Sequence, residues 1–192
     1  MASAVPPSVR WSTAGVAGAL ASGHMVVVWA ETGQPREPSR RAARALCAEL
    51  LQAVRPLPCK VSRSAADGVA VVALSARYEI GADVETSLAV DAGEFEALLH
   101  ASEHVEWPPA PELPTLLRHL WCRKEAALKA FGVGLSVAPE RCAVGPPSST
   151  WQAVVIDGLG CARVRSIDIP FDAALAVAVL GTHAPESAIF MA

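Results

Sequence analysis

Residues 80–85, Ile80-Gly81-Ala82-Asp83-Val84-Glu85, set two carboxylates two positions apart inside an otherwise apolar run. Side chains two apart on a β-strand share a face, so Asp83 and Glu85 project together while Val84 points the other way, into a core. Two carboxylates side by side repel unless a cation lies between them. Both are hard oxygen ligands of the kind that Mg²⁺ or Mn²⁺ prefers. A strand end whose acids face solvent satisfies the same residues, so a second segment is needed to choose between the two.

That second segment is Trp121-Cys122-Arg123-Lys124-Glu125-Ala126-Ala127-Leu128-Lys129. On a helix Trp121, Glu125 and Lys129 fall four apart and share one stripe. Leu117, Leu120, Leu128 and Phe131 lie near it and would seat that side in a core. An acid and a base beside an apolar stripe are unusual. The plainer alternative is an exposed Glu125–Lys129 pair, worth only about 0.3–0.5 kcal/mol. Taken with Asp83 and Glu85, Glu125 supplies a third carboxylate for a magnesium site. Lys129, one turn on, is placed to meet a phosphate. A cation and a lysine around a phosphorus centre are what phosphoryl transfer requires.

Working outward, residues 24–30 (HMVVVWA) read as a first strand. A Gly/Pro/Ser-rich turn precedes a helix over 39–54, with Ser39 at its N-cap and Ala43, Leu46, Leu50 and Val54 on its buried face. Residues 69–74 and 78–84 read as the two strands of a hairpin. A helical stretch follows at 91–101, a proline-rich loop at 107–114, and the strongest helix at 115–131, stopped by Gly132 and Gly134. Strands are expected at 151–157, 161–168 and 174–180. The order predicts an α+β fold of two similar lobes side by side. Its domains are an arm at 1–22, partly mobile, a first lobe at 23–85 and a second at 86–192, with the site between the lobes.

Composition narrows the function. The chain has 192 residues, 52% apolar and 18% charged, enough for one large core or two small ones. A net charge of −3 gives no sign of a nucleic-acid partner. The five cysteines are irregularly spaced, and neither they nor the five histidines form a zinc pattern, which reads as reduced thiols in a cytoplasmic protein. No apolar run approaches the ~20 residues a membrane span needs. No P-loop pattern is present.

The pair IGADVE … WCRKEAALKAFGVGL resembles the signature of the 4'-phosphopantetheinyl transferases, a G-x-D-x-E strand followed by W-x-x-K-E-x-x-x-K and G-x-G-L. The match is best over about residues 57–137. The length resembles that of the larger Sfp-type members, in which two lobes are fused in one chain. That implies a monomer with pseudo-twofold lobes, mostly antiparallel strands and a long helix packed in each.

The resemblance further implies transfer of the phosphopantetheine arm of coenzyme A to a serine of an acyl or peptidyl carrier protein, releasing adenosine 3',5'-bisphosphate. Asp83, Glu85 and Glu125 would hold Mg²⁺, or Mn²⁺, against the coenzyme pyrophosphate. Glu125 and Lys129 would act in catalysis, with Lys129 and Lys124 on the phosphates. Where the family usually carries Ser-His-Ser, this chain has Ser62-Arg63-Ser64. Arginine binds phosphate bidentately and stays charged, so Arg63, with Ser62 beside it, is expected to keep the coenzyme contact. Arg36, Arg40, Arg41 and Arg44 stand where the family grips the nucleotide, on a shortened first lobe, with Arg40 and Arg44 the foremost candidates. A relative that binds carrier protein or coenzyme A without turnover is the alternative. His104 and Trp107 are further candidates near the site.

Overall fold

The structure, a computed structural model, describes residues 9–88, 92–103 and 112–192. Within these residues the chain is α+β, built from two five-stranded sheets stacked face to face with helices on both outer faces. The strands are β1 (Val9–Arg10), β2 (Met25–Glu31), β3 (Lys60–Ala66), β4 (Val69–Ser75), β5 (Ile80–Glu85), β6 (Cys142–Ala143), β7 (Gln152–Ile156), β8 (Gly160–Ser166), β9 (Ala174–Leu180) and β10 (Ser187–Met191). The first sheet runs β1-β10-β2-β4-β3 and the second β5-β9-β8-β7-β6. The two pairings of β10 are parallel; every other pairing is antiparallel.

Strand alternation explains the stacking. Met25, Val27 and Trp29 of β2, with Val69, Val71 and Ala73 of β4, face Leu175, Val177 and Val179 of β9 and Ile80, Ala82 and Val84 of β5 across a shared apolar core. The intervening residues face outward under helices. Val26, Val28, Val72 and Leu74 pack beneath α1 (Thr13–Ala21) and α2 (Arg36–Ala53), through Val16, Leu20, Leu46 and Leu50. Ala174, Ala176 and Ala178 lie beneath α4 (Leu113–Ala130). Fully burying one such Val or Leu contributes about 1.5–3 kcal/mol, so both helix faces are firmly seated. The remaining helix, α3 (Ala92–Glu96), is short.

Several expectations change. Ile80–Glu85 does not form a hairpin with Val69–Ser75. It crosses to the second sheet and pairs with β9, Asp83 opposite Ala176. The hairpin is β3–β4, closed at Asp67-Gly68, where Gly68 has φ 78°. Asp-Gly is a strong hairpin signal. Ser39 is not a cap: α2 starts at Arg36, and the buried Ser39 hydroxyl bonds the Gln34 carbonyl (2.9 Å) and the Thr32 hydroxyl (2.7 Å). Residues 13–21 are not a loose arm but helix α1, capped by Ser12 through Gly15 N at 3.1 Å.

Where 91–101 was expected to be one helix, only Ala92–Glu96 is helical, followed by a single 3₁₀ turn at Ala101–Glu103. Of the proline-rich loop, Leu113 and Pro114 form the first turn of α4, where a proline is tolerated. His104, Trp107 and residues 108–111 of that loop lie outside the described residues.

At its far end α4 stops in a Schellman turn. Gly132 takes φ 71°, its amide bonds the Lys129 carbonyl, and the Val133 amide bonds Leu128 (3.2 Å).

Candidate functional site

Strand β5 and strand β3 are the edges of their sheets, and they abut. An edge strand has unpaired backbone groups on one side. Here a serine satisfies one of them: the Ala82 amide donates to Ser62 Oγ at 2.9 Å. Ser62 therefore joins the two halves at this seam and is not part of the cavity wall. Two residues on, Ser64 Oγ donates to Asp83 Oδ1 at 2.7 Å.

Above the seam lies a cavity of about 580 Å³, bounded by α2 on one side and α4 on the other. It is the reason for Gly81. Gly81, Asp83 and Glu85 share the face of β5 turned to α4, and a Cβ at Gly81 would fall 1.9 Å from the Ala126 carbonyl oxygen. The glycine, with the small residues Ala174, Ala176 and Ala178 on β9, lets α4 lie close on the sheet. That approach brings Lys129 to Asp83: Nζ donates to Oδ1 at 2.6 Å, with longer contacts to the Ala82 carbonyl (3.4 Å) and Ser64 Oγ (3.5 Å). Trp121 and Glu125 line the same wall, as the spacing of four predicts.

The opposite wall is cationic. Arg36, Arg40 and Arg44 descend one stripe of α2, and Arg63 joins them from β3. Of the four arginines expected to grip the nucleotide, Arg36, Arg40 and Arg44 line this wall and the exposed Arg41 does not. The Arg36 guanidinium donates to both Glu85 oxygens, and its Nε to the Ala65 carbonyl at 3.3 Å. Ser64 is a site residue whose signal, a serine on the same face as the seam, was legible only with β3 and β5 adjacent. Arg40 and Arg44 approach the exposed Glu37 at 3.7 and 3.5 Å. With Lys129 these make five cations facing Asp83, Glu85 and Glu125. A chain of net charge −3 thus surrounds one cavity with five of its 16 Lys and Arg residues, a field that attracts anions.

Lys124, like Ser62, stands apart from the cavity wall. It is fully buried on the far side of α4, where Nζ bonds Glu103 Oε2 at 2.5 Å, the Pro139 carbonyl at 3.1 Å and the Cys142 carbonyl. Glu103 in turn accepts from the amides of His100, Val144 and Gly145. Lys124 ties loops to α4 and does not line the cavity. Its neighbour Arg123 is also fully buried, on Gln152 and the carbonyl of Val144. Burial pulls its pKa down to about 10.

Electrostatics mark the carboxylates. Burial, then repulsion from Asp83, raises the pKa of Glu125, with Lys129 opposing. Glu85 is raised by the same two causes in the same order, and Arg36 and Lys129 oppose. For Lys129, burial acts to lower the pKa, but the Asp83 charge and hydrogen bond, helped by Glu125, outweigh it and the net shift is upward. Among the described residues no three side chains are gathered as a ready metal cluster. Lys129 and Arg36 hold Asp83 and Glu85 instead. The donor set nevertheless fits a hard divalent ion. All three carboxylates line one cavity, and Asp83 Oδ2 is buried with no hydrogen-bond partner, as an oxygen awaiting a ligand would be.

Fold and cavity together define an α+β protein with a cleft at the seam of its two sheets, where an arginine wall faces three carboxylates and a lysine. The chain belongs to the 4'-phosphopantetheinyl transferase superfamily, whose family model matches residues 79–178. The matched span starts just before β5 and ends in β9, so it contains the carboxylate strand, α4 and most of the second sheet. A search of curated proteins finds no match. Membership places the chain among enzymes that transfer phosphopantetheinyl groups. No helix is long and apolar enough to cross a membrane.

Proposed function

We propose that this chain transfers the 4'-phosphopantetheine arm of coenzyme A to a serine of an acyl or peptidyl carrier protein, with Mg²⁺, and releases adenosine 3',5'-bisphosphate. The observation that carries this reading is the cavity wall itself: three carboxylates and Lys129 face an arginine stripe. A binding module has no need of buried like charges, which cost stability unless a cation or substrate uses them.

In this reading Arg40, Arg44 and Arg63 bind the nucleotide phosphates, and the arginine in the place of the family's histidine keeps that contact. Lys129 offsets charge on the phosphate oxygens as the bond to the leaving group breaks. Glu125, on the cavity wall beside Lys129, accepts the proton of the attacking serine. The serine oxygen forms the new bond to phosphorus, and the bond from that phosphorus to the adenosine bisphosphate breaks. Asp83, Glu85 and Glu125 would hold Mg²⁺, which when bound supplies further charge neutralisation at the pyrophosphate. Two sheets, each with an 18-residue helix, support the larger, fused form of the family.

Intact-mass spectrometry of an apo carrier protein incubated with this chain, coenzyme A and Mg²⁺ tests the proposal. The carrier should gain one phosphopantetheine, and EDTA should prevent it. No gain on carriers from fatty acid, polyketide and peptide assembly would sink the transferase reading.

A further inference from the structure

Arg36 begins α2, on the outer face of the first sheet, yet its side chain ends on Glu85, the last residue of β5 in the second. The bond to the Ala65 carbonyl lays it along the edge of β3 and aims it across the seam. Lys129 holds Asp83 from the other side. Each carboxylate of the strand therefore already has a resident cation. The two partners of the Arg36 bridge differ in freedom. The Glu85 side chain is 12% exposed and fixed on a strand, while that of Arg36 is 45% exposed on a long stem. Arg36 is the partner that can leave.

A divalent ion at Glu85 must displace that guanidinium or sit beside it against like-charge repulsion. A phosphate group changes the balance, because it accepts the same planar fork that the carboxylate does. We infer that Arg36 couples ligand to metal at this site: it occupies Glu85 and weakens divalent binding until a phosphorylated ligand takes its guanidinium and frees the carboxylate. The inference rests on reading Asp83, Glu85 and Glu125 as the metal ligands. By linkage the coupling is reciprocal, so metal strengthens phosphate binding as much as phosphate strengthens metal binding.

Mn²⁺ is the probe, titrated into the full chain without coenzyme A and followed by the paramagnetic resonance signal of the free ion. Arg36→Gln should bind Mn²⁺ about tenfold more tightly than wild type, within the 5–150-fold range usual for such coupling. Arg36→Lys keeps the charge but not the fork and should fall between them. Arg41→Gln removes the same charge from an exposed position outside the cavity wall and should match wild type. Coenzyme A should tighten Mn²⁺ binding in wild type and much less in Arg36→Gln. Equal affinity in folded wild type and Arg36→Gln overturns the inference while leaving the metal reading intact. An equal gain in Arg41→Gln overturns it too, reducing the effect to net charge. Absence of Mn²⁺ binding by either protein, with or without coenzyme A, overturns the metal reading and the inference with it. Should Arg36→Gln not fold, the Arg36→Lys comparison decides.

Discussion

Replacing Gly81 by alanine separates the two halves of the site without touching a charged group. The added methyl would lie 1.9 Å from the Ala126 carbonyl oxygen and 2.6 Å from the Ala130 nitrogen. Real Cβ contacts essentially never fall under 3.0 Å, so α4 and β5 must part by at least 1.1 Å (3.0 − 1.9). Both obstacles are helix backbone, which cannot swing aside as a side chain can. Overpacking of this kind costs about 1–3 kcal/mol. At about 2–4 °C per kcal/mol for a chain of this size, the melting temperature should drop by roughly 2–12 °C.

The functional loss should be larger than the loss of stability. Asp83 lies two residues beyond Gly81 and Lys129 lies between Ala126 and Ala130, so the parting falls on their 2.6 Å bond. A displacement of about 1 Å in a catalytic constellation can cost on the order of 100-fold in rate. Melting followed by circular dichroism, with carrier modification measured below the variant's midpoint, reads both effects. Gly18→Ala, in α1 with nothing within 4 Å of the new methyl, is the control and should keep full activity. Gly81→Ala with unchanged melting and turnover would refute the close-approach reasoning.

Two further predictions address the side chains of α4. Lys124→Met should lower stability by about 3–5 kcal/mol, because it leaves Glu103 buried without its cation. Below the variant's melting midpoint its affinity for coenzyme A, measured by calorimetry, should be unchanged; a loss of affinity would restore Lys124 to the ligand. Glu125→Gln should abolish transfer yet raise the melting temperature of the metal-free protein at neutral pH. The sign follows from the raised folded-state pKa: the protonated form is favoured in the fold, so the stability it contributes is full below the unfolded value and is lost as pH rises through the folded one. The advantage of the variant should therefore vanish as pH falls to about 4, near the unfolded carboxyl value. Scanning calorimetry in EDTA across that range checks it, and a gain independent of pH would exclude the carboxyl as its source.

The carboxylate strand and the catalytic helix were legible because each carries its own period. Two-residue spacing puts Asp83 and Glu85 on one face, and four-residue spacing puts Trp121, Glu125 and Lys129 on one stripe, whatever the rest of the chain does. The helix stop at Gly132 is equally local, since only a residue at ease with positive φ closes that turn. Lys124 was misplaced for a related reason. Spacing tells that it leaves the Glu125 stripe, but not that Glu103 and two carbonyls await it on the other side.

Pairing partners were not legible, because a strand's neighbour is set by long-range packing and not by its own pattern. Ile80–Glu85 follows Val69–Ser75 so closely that a hairpin looked natural, yet its mate is β9, where Asp83 lies opposite Ala176. That choice makes β5 and β3 facing edges and creates the seam. Only with the seam formed do Ser64, Arg63 and the arginines of α2 come to share a cavity with Asp83. The sequence alone thus determined which residues carry charge and which of them, on one strand or one helix, point together. Tertiary structure decided which strand meets which, and so which distant cation answers each carboxylate: Lys129 for Asp83 and Arg36 for Glu85. The physical reason is reach: periodicity orders neighbours a few residues apart, whereas a salt bridge spanning 49 positions exists only once two sheets have packed.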